Sequence, residues 1–540
     1  MKKLVSRLMA VLMAMTMILS MSMTAFAAEA SKGTLTVNNT VAGKTLDLYQ
    51  IFTATKSENN VAYTLNSAYE GFFKNNTRIP GSESLTGEAL SEAAYNYVKD
   101  QVGTDGSNGA AFAKDIMGWI LGNTATVETT HTTAITTDNT TVINNLDYGY
   151  YVVYPLGATD TSTAPGNEAV KSVASLVSVT GTDATVNMKS NYPTVVKKVN
   201  DKIADDVNIG DTVTYTLTSK VPDMTGYTSY VFNFKDTLAK GLTFGSITSV
   251  KIGDVTINAD TDGTKAENTY TLTTKNNEDG TTEIKIEMNK FLASNKDKVG
   301  QTITVTYTAT LNKDAVTGFD PNTNKATVEY SNKPGSEETG ESEPSKVDVH
   351  TFNFTIFKYY LKGADKTGLA NAEFELYKAN GEVAGDKVNI KKVTDGEYRV
   401  ATSEEAAAEG FKSDVIVSGT NGKVLVKGLD AGTYYLRETK APEGYNKLLS
   451  DIKVEIKANY DKTTGKLTSY SVDYTYNGTP ITGTEIKDTT TSPEVAVENK
   501  TGAQLPSTGS KGALMVTLAG IVLFGALTAS KAFGKKKAKN

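Results

Sequence analysis

The chain has 540 residues, no cysteine, two histidines and a formal net charge of −6 from 55 basic and 61 acidic side chains. Without cysteine there is neither a disulfide framework nor a thiol nucleophile, two histidines supply neither a zinc cluster nor a catalytic triad, and an acidic balance without a basic stripe argues against nucleic acid as a partner. A chain of this length accommodates about three domains, held together by core burial or by some covalent device other than disulfides.

Residues 1–27 begin with Lys2, Lys3 and Arg7, continue through a Met-, Leu- and Ala-rich stretch and close on Ala25-Phe26-Ala27. This order predicts a secretory signal peptide cut after Ala27, and hence an extracellular mature chain. Most of the mature chain reads as strand. Thr, Val, Tyr and Ile alternate in DTVTYTLTSKV (211–221), TITVTYTATL (302–311) and TYYLRET (433–439), between Gly, Asn and Asp turns. Short strands at this spacing predict a mainly β chain of tandem Ig-like sandwiches.

The first domain, 28–190, departs from that pattern. Leu90, Ala93, Ala94, Tyr97 and Val98 recur at helical spacing, as do Phe112, Ile116, Trp119 and Ile120, which predicts two helices inserted among the strands with these residues packed as core. NMKSNYPT (187–194) closes the domain. The second domain spans 191–332. NKPGSEETGESEPSK (332–346), with Pro, Gly, Ser and four glutamates, predicts a solvated linker over 333–349. His131 lies in a Thr-rich stretch and His350 at the linker's end. DTDG (260–263) lacks the later ligands of a calcium loop and reads as a turn. No metal site and no cofactor is predicted.

The third domain, 350–503, echoes the first. LDYGYYVVYP (146–155) matches LDAGTYYLRE (429–438), and TLDLYQ (45–50) matches EFELYK (373–378). The alignment sets Pro155 opposite Glu438 and Asn39 opposite Lys358, so the third domain has a Lys and an acid that its relative lacks. Phe354, Ile356 and Lys358 share one strand face, which turns Lys358 inward. A buried lysine is costly unless paired or neutralised.

At the C-terminal end, residues 504–540, Leu505-Pro506-Ser507-Thr508-Gly509 precedes nineteen uncharged residues, 512–530, and then Lys531, Lys535, Lys536, Lys537 and Lys539. The span is long enough to cross a bilayer as a helix, and the lysines mark its cytoplasmic side. This order resembles the LPxTG cell-wall sorting signal of Gram-positive surface proteins. The resemblance implies sortase cleavage between Thr508 and Gly509, passage of the threonyl group to an amine, and a precursor held transiently in the membrane.

Domain three, through FTIFKYYLKGADKTGLANAEFELYK, the YYLRETKAPEGY box and the terminal VAVEN, resembles the CnaB-type domains of the same surface proteins. That family joins a first-strand lysine to a last-strand Asn or Asp with the help of the box acid. Carried over, these are Lys358, Asn499 and Glu438, with Glu438 as the catalytic acid. Burial makes the chemistry intelligible: a desolvated lysine becomes a neutral nucleophile, while a desolvated glutamate keeps a proton with which to polarise the Asn499 carbonyl.

Domain two, through YPTVVKKVND, IGDTVTYTL, FKDTLAKGLTF and NKATVEYSN, resembles the isopeptide-forming D2 domain of fimbrial proteins. Lys197 shares a face with Val195 and Val199, while Lys198 points outward. Asn324 is in phase with Ala326 and Val328; Asn332 has the same parity and stays an alternative. Asp236 is the matching acid.

Only Lys500 to Gln504 separate the last predicted strand from Leu505, a reach of less than about 18 Å. That is no stalk for carrying an adhesin through a thick wall. Together the features resemble the major, backbone subunit of a sortase-assembled pilus, not an enzyme that turns over. This implies as partners pilus-specific and housekeeping sortases, identical subunits in a covalent polymer, accessory pilins and peptidoglycan, on the outer, wall-anchored surface. The family's acceptor motif Tyr-Pro-Lys-Asn is altered here to Tyr192-Pro193-Thr194-Val195, leaving Lys189 as first and Lys198 as second candidate for the subunit-linking lysine. The rival reading is a wall-anchored adhesin or a tip or accessory pilin.

Overall fold

A computed structural model describes residues 32–57, 60–103, 109–159, 173–188 and 191–502. The signal peptide predicted over 1–27, Lys189, the LPSTG pentapeptide and the 512–530 stretch lie outside the described residues. Among the described residues no helix is long and apolar enough to cross a membrane.

Three sandwiches follow one another along the chain, in two compact units. One unit comprises residues 1–351 with 460–468, and the other residues 352–459 with 469–540. In the first sandwich Lys32–Asn38 runs antiparallel to Thr140–Asp147 and parallel to Ala184–Asn187, facing a sheet ordered Asn60–Leu65, Thr45–Ser57, Gly149–Pro155, Ser175–Val179. Leu35, Val37, Leu46, Leu48, Tyr151 and Val153 fill the space between the two.

The inserted helices are Gly87–Val102 and Gly109–Gly122. Leu90, Ala94, Val98, Phe112, Ile116 and Ile120 are buried as the spacing predicts. The stripe is shifted on the first helix, where Ser91 and Tyr95 are buried while Ala93 and Tyr97 are only half-buried. Trp119 is also partly buried and meets the Phe72 ring edge-on at 5.6 Å. The 310 turn and short helix around Phe72 and Phe73, which local spacing does not announce, supply the aromatic floor for both helices.

The second sandwich is built from strict alternation. Thr212–Lys220 and Thr302–Leu311 pair antiparallel with Tyr215 opposite Tyr307 and Leu217 opposite Val305, every apolar side chain inward and threonines outward. Their sheet ends at Val196–Val199 on one side and continues through Leu242–Ile252 to Val255–Thr256 on the other. The facing sheet runs Ala204–Asp206, Ser345–His350, Asn322–Ser331, Phe232–Leu238, Thr282–Met288, Thr269–Asn276, Asn258–Ala259.

This corrects the linker predicted over 333–349. Thr339–Glu341 and Ser345–His350 are strands paired antiparallel to Asn322–Ser331, with Val347 and Val349 buried. Val-x-Val alternation and a free sheet edge outweigh the glutamates and Pro344, which face outward or lie between the two strands. Within the same unit, Lys44 Nζ from the first sandwich donates to the Tyr330 hydroxyl and the Glu341 carbonyl of the second, each at 2.8 Å.

In the third sandwich Phe352–Lys362 is central. Lys423–Leu429 and Asp365–Gly368 run antiparallel to it, and the last strand, Glu494–Glu498, runs parallel to it. Gly432–Lys440 lies in the facing sheet between Glu373–Asn380 and Ile452–Tyr460. Gly422 sits at a positive φ of 78°, where a Cβ would come within 2.2 Å of the Lys358 carbonyl. Only glycine lets that turn close over the strand.

Candidate isopeptide sites

In the third sandwich the alternation of FNFTIFK carries Phe354, Ile356 and Lys358 into the core, and all three have zero exposure. Glu438 reaches in from the facing sheet, and Asn499 follows directly on the last strand; each is 2% exposed. Lys358 Nζ lies 2.9 Å from Glu438 Oε1, in contact as an ion pair but off the direction of a hydrogen bond. The other carboxylate oxygen, Oε2, accepts from Leu448 N at 2.7 Å and from Asn499 Nδ2 at 3.3 Å. Asn499 Nδ2 also donates to the Asn446 carbonyl, while Asn499 Oδ1 has no hydrogen-bond partner among the described residues. Burial pulls the Lys358 amine down to about 8, against the opposing pull of the Glu438 charge.

The second sandwich brings together Lys197, Asp236 and Asn324. Lys197 comes from Val196–Val199, Asp236 from Phe232–Leu238 and Asn324 from Asn322–Ser331 in the opposite sheet. They are 2%, 2% and 0% exposed, whereas Lys198 is exposed. Lys197 Nζ pairs with Asp236 Oδ2. Burial lowers the Lys197 amine to about 8 in spite of Asp236, and raises the Asp236 carboxyl in spite of Lys197. Asn332 lies elsewhere: it follows the end of its strand, packs beside Gly157 and donates its N–H to the Glu338 carbonyl at 3.2 Å. Of the two alternatives, the fold therefore brings Asn324 to the lysine.

Sequence reasoning missed Tyr307. Its hydroxyl accepts from Lys197 Nζ at 2.8 Å and from Asn324 Nδ2 at 2.7 Å, and donates to Asp236 Oδ2 at 2.7 Å. Its ring stacks on Tyr215 with centroids 5.2 Å apart, and the Lys197 amine stands 4.8 Å and 5.1 Å from the two ring centres. The available signal was a polar-tipped aromatic at an inward position of each of two neighbouring alternating strands. In the first sandwich no lysine is buried among the described residues. Asn39 and Pro155 occupy the echoed positions, with Asn39 Nδ2 turned to the Met188 carbonyl at 3.3 Å.

Residues 209–334 match the family model of the Gram-positive pilin backbone subunit 2 Cna-B-like domain, a stretch containing Asp236, Tyr307 and Asn324. Residues 358–470 match that of the SpaA prealbumin-like fold domain, a stretch containing Lys358 and Glu438. Each of these two sandwiches is thus similar to one known domain family. The chain is 26% identical over 313 residues to the trypsin-resistant surface T6 protein of Streptococcus pyogenes, covering 53% of this chain and 50% of that one. It is 26% identical over 281 residues to the fimbrial subunit type 2 of Actinomyces naeslundii, covering 49% and 50%. The chain thus spans about half the length of these curated relatives. Among solved structures it resembles the three-domain T6 backbone pilin of serotype M6 Streptococcus pyogenes, with a TM-score of 0.43 and 18% identity over 80% of this chain and 83% of the other.

Proposed function

We propose that this chain is the backbone subunit of a covalent pilus on a Gram-positive cell. It is a structural protein whose second and third sandwiches are locked by autocatalytic links from Lys197 to Asn324 and from Lys358 to Asn499. Asp236 and Glu438 are the acids of the two reactions. Each acts once, in its own domain.

One observation carries this reading: two separate sandwiches each bury a lysine amine against a carboxyl group with an asparagine amide at the same point. A lone buried Lys–acid pair gains little net stability. A linked pair closes most of a sandwich into a loop and carries tension directly between the two strands it joins. A fibre needs that property, and a chain without cysteine lacks other means to it. The relatives' names, a surface T6 protein and a fimbrial subunit, support the same reading.

In this reading sortases cut between Thr508 and Gly509 of Leu505–Gly509. They pass Thr508 to a lysine of the next identical subunit, Lys189 first and Lys198 second, and finally to peptidoglycan; accessory pilins join the same polymer. The test is an immunoblot of cell-wall extracts boiled in detergent. A ladder of covalent multimers that collapses on Thr508→Ala supports it. One band at the mass of a single chain contradicts it and favours a wall-anchored adhesin.

A further inference from the structure

The two sites differ at the atom that must leave. In the third sandwich Glu438 itself reaches the departing side of the amide, since Asn499 Nδ2 lies 3.3 Å from Oε2. In the second sandwich the acid is one methylene shorter, and the hydrogen bond that Asn324 Nδ2 makes is to the Tyr307 hydroxyl, at 2.7 Å. That hydroxyl also touches the nucleophile, Lys197 Nζ, and the acid, Asp236 Oδ2. A phenol oxygen in a dry core is costly without partners. This one has three, and all three are the groups whose bonds or protons change.

We propose that Tyr307 is the proton donor to the departing amide nitrogen of Asn324, with Asp236 restoring the phenol's proton. The proposal rests on the Lys197–Asn324 link of the proposed function. Neutral Lys197 Nζ attacks Asn324 Cγ, and the Nζ–Cγ bond forms. As Cγ becomes tetrahedral, Nδ2 regains the lone pair it had shared with the carbonyl and turns from donor to acceptor. The Tyr307 proton passes to Nδ2, the Asp236 proton passes to the Tyr307 oxygen, and the proton shed by Nζ returns to Asp236. The Cγ–Nδ2 bond breaks and ammonia leaves, so one amine and one primary amide become one secondary amide and one ammonia, with no change of charge.

Burial and the neighbouring Asp236 carboxyl hold the phenol well above its ordinary range, so it begins protonated and passes one proton on only as it takes another. Stacking on Tyr215 fixes the ring while this happens.

The test is a time course of intact mass on the full chain made by cell-free synthesis. The third sandwich's own ammonia loss serves as internal clock and proof of folding. Tyr307→Phe keeps the ring and removes the hydroxyl; it is expected to slow the Lys197–Asn324 link by about 10²–10⁴-fold, the usual worth of a positioned acid, and to leave the Lys358–Asn499 link at wild-type speed. A ring-fluorinated tyrosine at 307, which keeps a donor, is expected to restore the link. Equal speeds for wild type and Tyr307→Phe, or a fluorinated residue as slow as phenylalanine, overturn the proposal. Should Tyr307→Phe unfold the second sandwich, a series of fluorinated tyrosines of graded acidity decides: a rate that follows phenol acidity supports it and a constant rate overturns it. Failure of the wild-type chain to form a 197–324 link sinks the underlying reading as well, and so is distinguishable from failure of the tyrosine's role alone.

Discussion

Lys358, inside the strand Phe352–Lys362, and Asn499, directly after the parallel strand Glu494–Glu498 paired with it, stand side by side: Lys358 is in register with Val497, and the Asn499 N–H donates to the Tyr359 carbonyl at 2.9 Å. These are the first and last strands of the sandwich, so a link between them closes nearly all of it into one loop. By analogy with a disulfide over a loop of this size, the link is worth about 5 kcal/mol, acting chiefly on the unfolded chain. Asn499→Ala is therefore expected to lower the unfolding temperature of the third sandwich steeply and leave that of the second unchanged. Scanning calorimetry of the two transitions checks this.

Glu438→Ala removes the acid and leaves the Lys358 amine buried without its partner. The expected result is a third sandwich that loses no ammonia and is destabilised by the missing link, with a further cost of about 3–5 kcal/mol for the orphaned charge at neutral pH. Intact mass and denaturant unfolding report the two effects separately. Full retention of ammonia loss counts against Glu438 as the acid.

Asn324→Ala is expected to abolish ammonia loss in the second sandwich, and Asn332→Ala to leave it intact. Peptide mapping of both variants is the check. The reverse result would mean that the strand Asn322–Ser331 presents the wrong end to Lys197.

The pH dependence has a definite sign. Burial brings both amines from 10.5 to about 8. The reactive pair of neutral amine and protonated acid holds one proton in total, as many as the ion pair, so the rate of linking is level through neutral pH. Above about 8 that last proton is lost, and the rate is expected to fall about tenfold per pH unit. Stability of the unlinked Asn499→Ala variant moves the opposite way. Its unfolded chain keeps the Lys358 proton up to 10.5 whereas the fold releases it near 8, so the unfolded state binds more protons in that window and stability rises with pH across it, by about 3 kcal/mol. Below about 8 this contribution is absent and the curve is flat. Ammonia-release kinetics and thermal unfolding across pH 6–11 test both signs.

Strand parity made much of this legible. Two-residue alternation in VKKV, FNFTIFK and NKATV turned Lys197, Lys358 and Asn324 inward, because one buried face admits one register. Parity does not report what lies across the sandwich. Tyr307 was visible as an inward residue, yet its hydroxyl gains meaning only when the sheets carrying Lys197 and Asn324 are stacked. Parity also could not separate Asn324 from Asn332, since both have the same phase and differ only in position along the strand. The stretch 333–349 failed for another reason: four glutamates, glycine and proline describe its exposed side chains, while an open edge on Asn322–Ser331, a property of the sheet, makes Thr339–Glu341 and Ser345–His350 strands. On the first helix, tertiary packing against Tyr63 chose Tyr95 over Tyr97.

The central claim, that two buried amines become amides, is tested most directly by digesting the mature protein and sequencing its cross-linked peptides by mass spectrometry. The expected result is one peptide pair joining Lys197 to Asn324 and another joining Lys358 to Asn499, with the intact chain lighter by two ammonia. A chain of full calculated mass that yields these four residues only in linear peptides would contradict it.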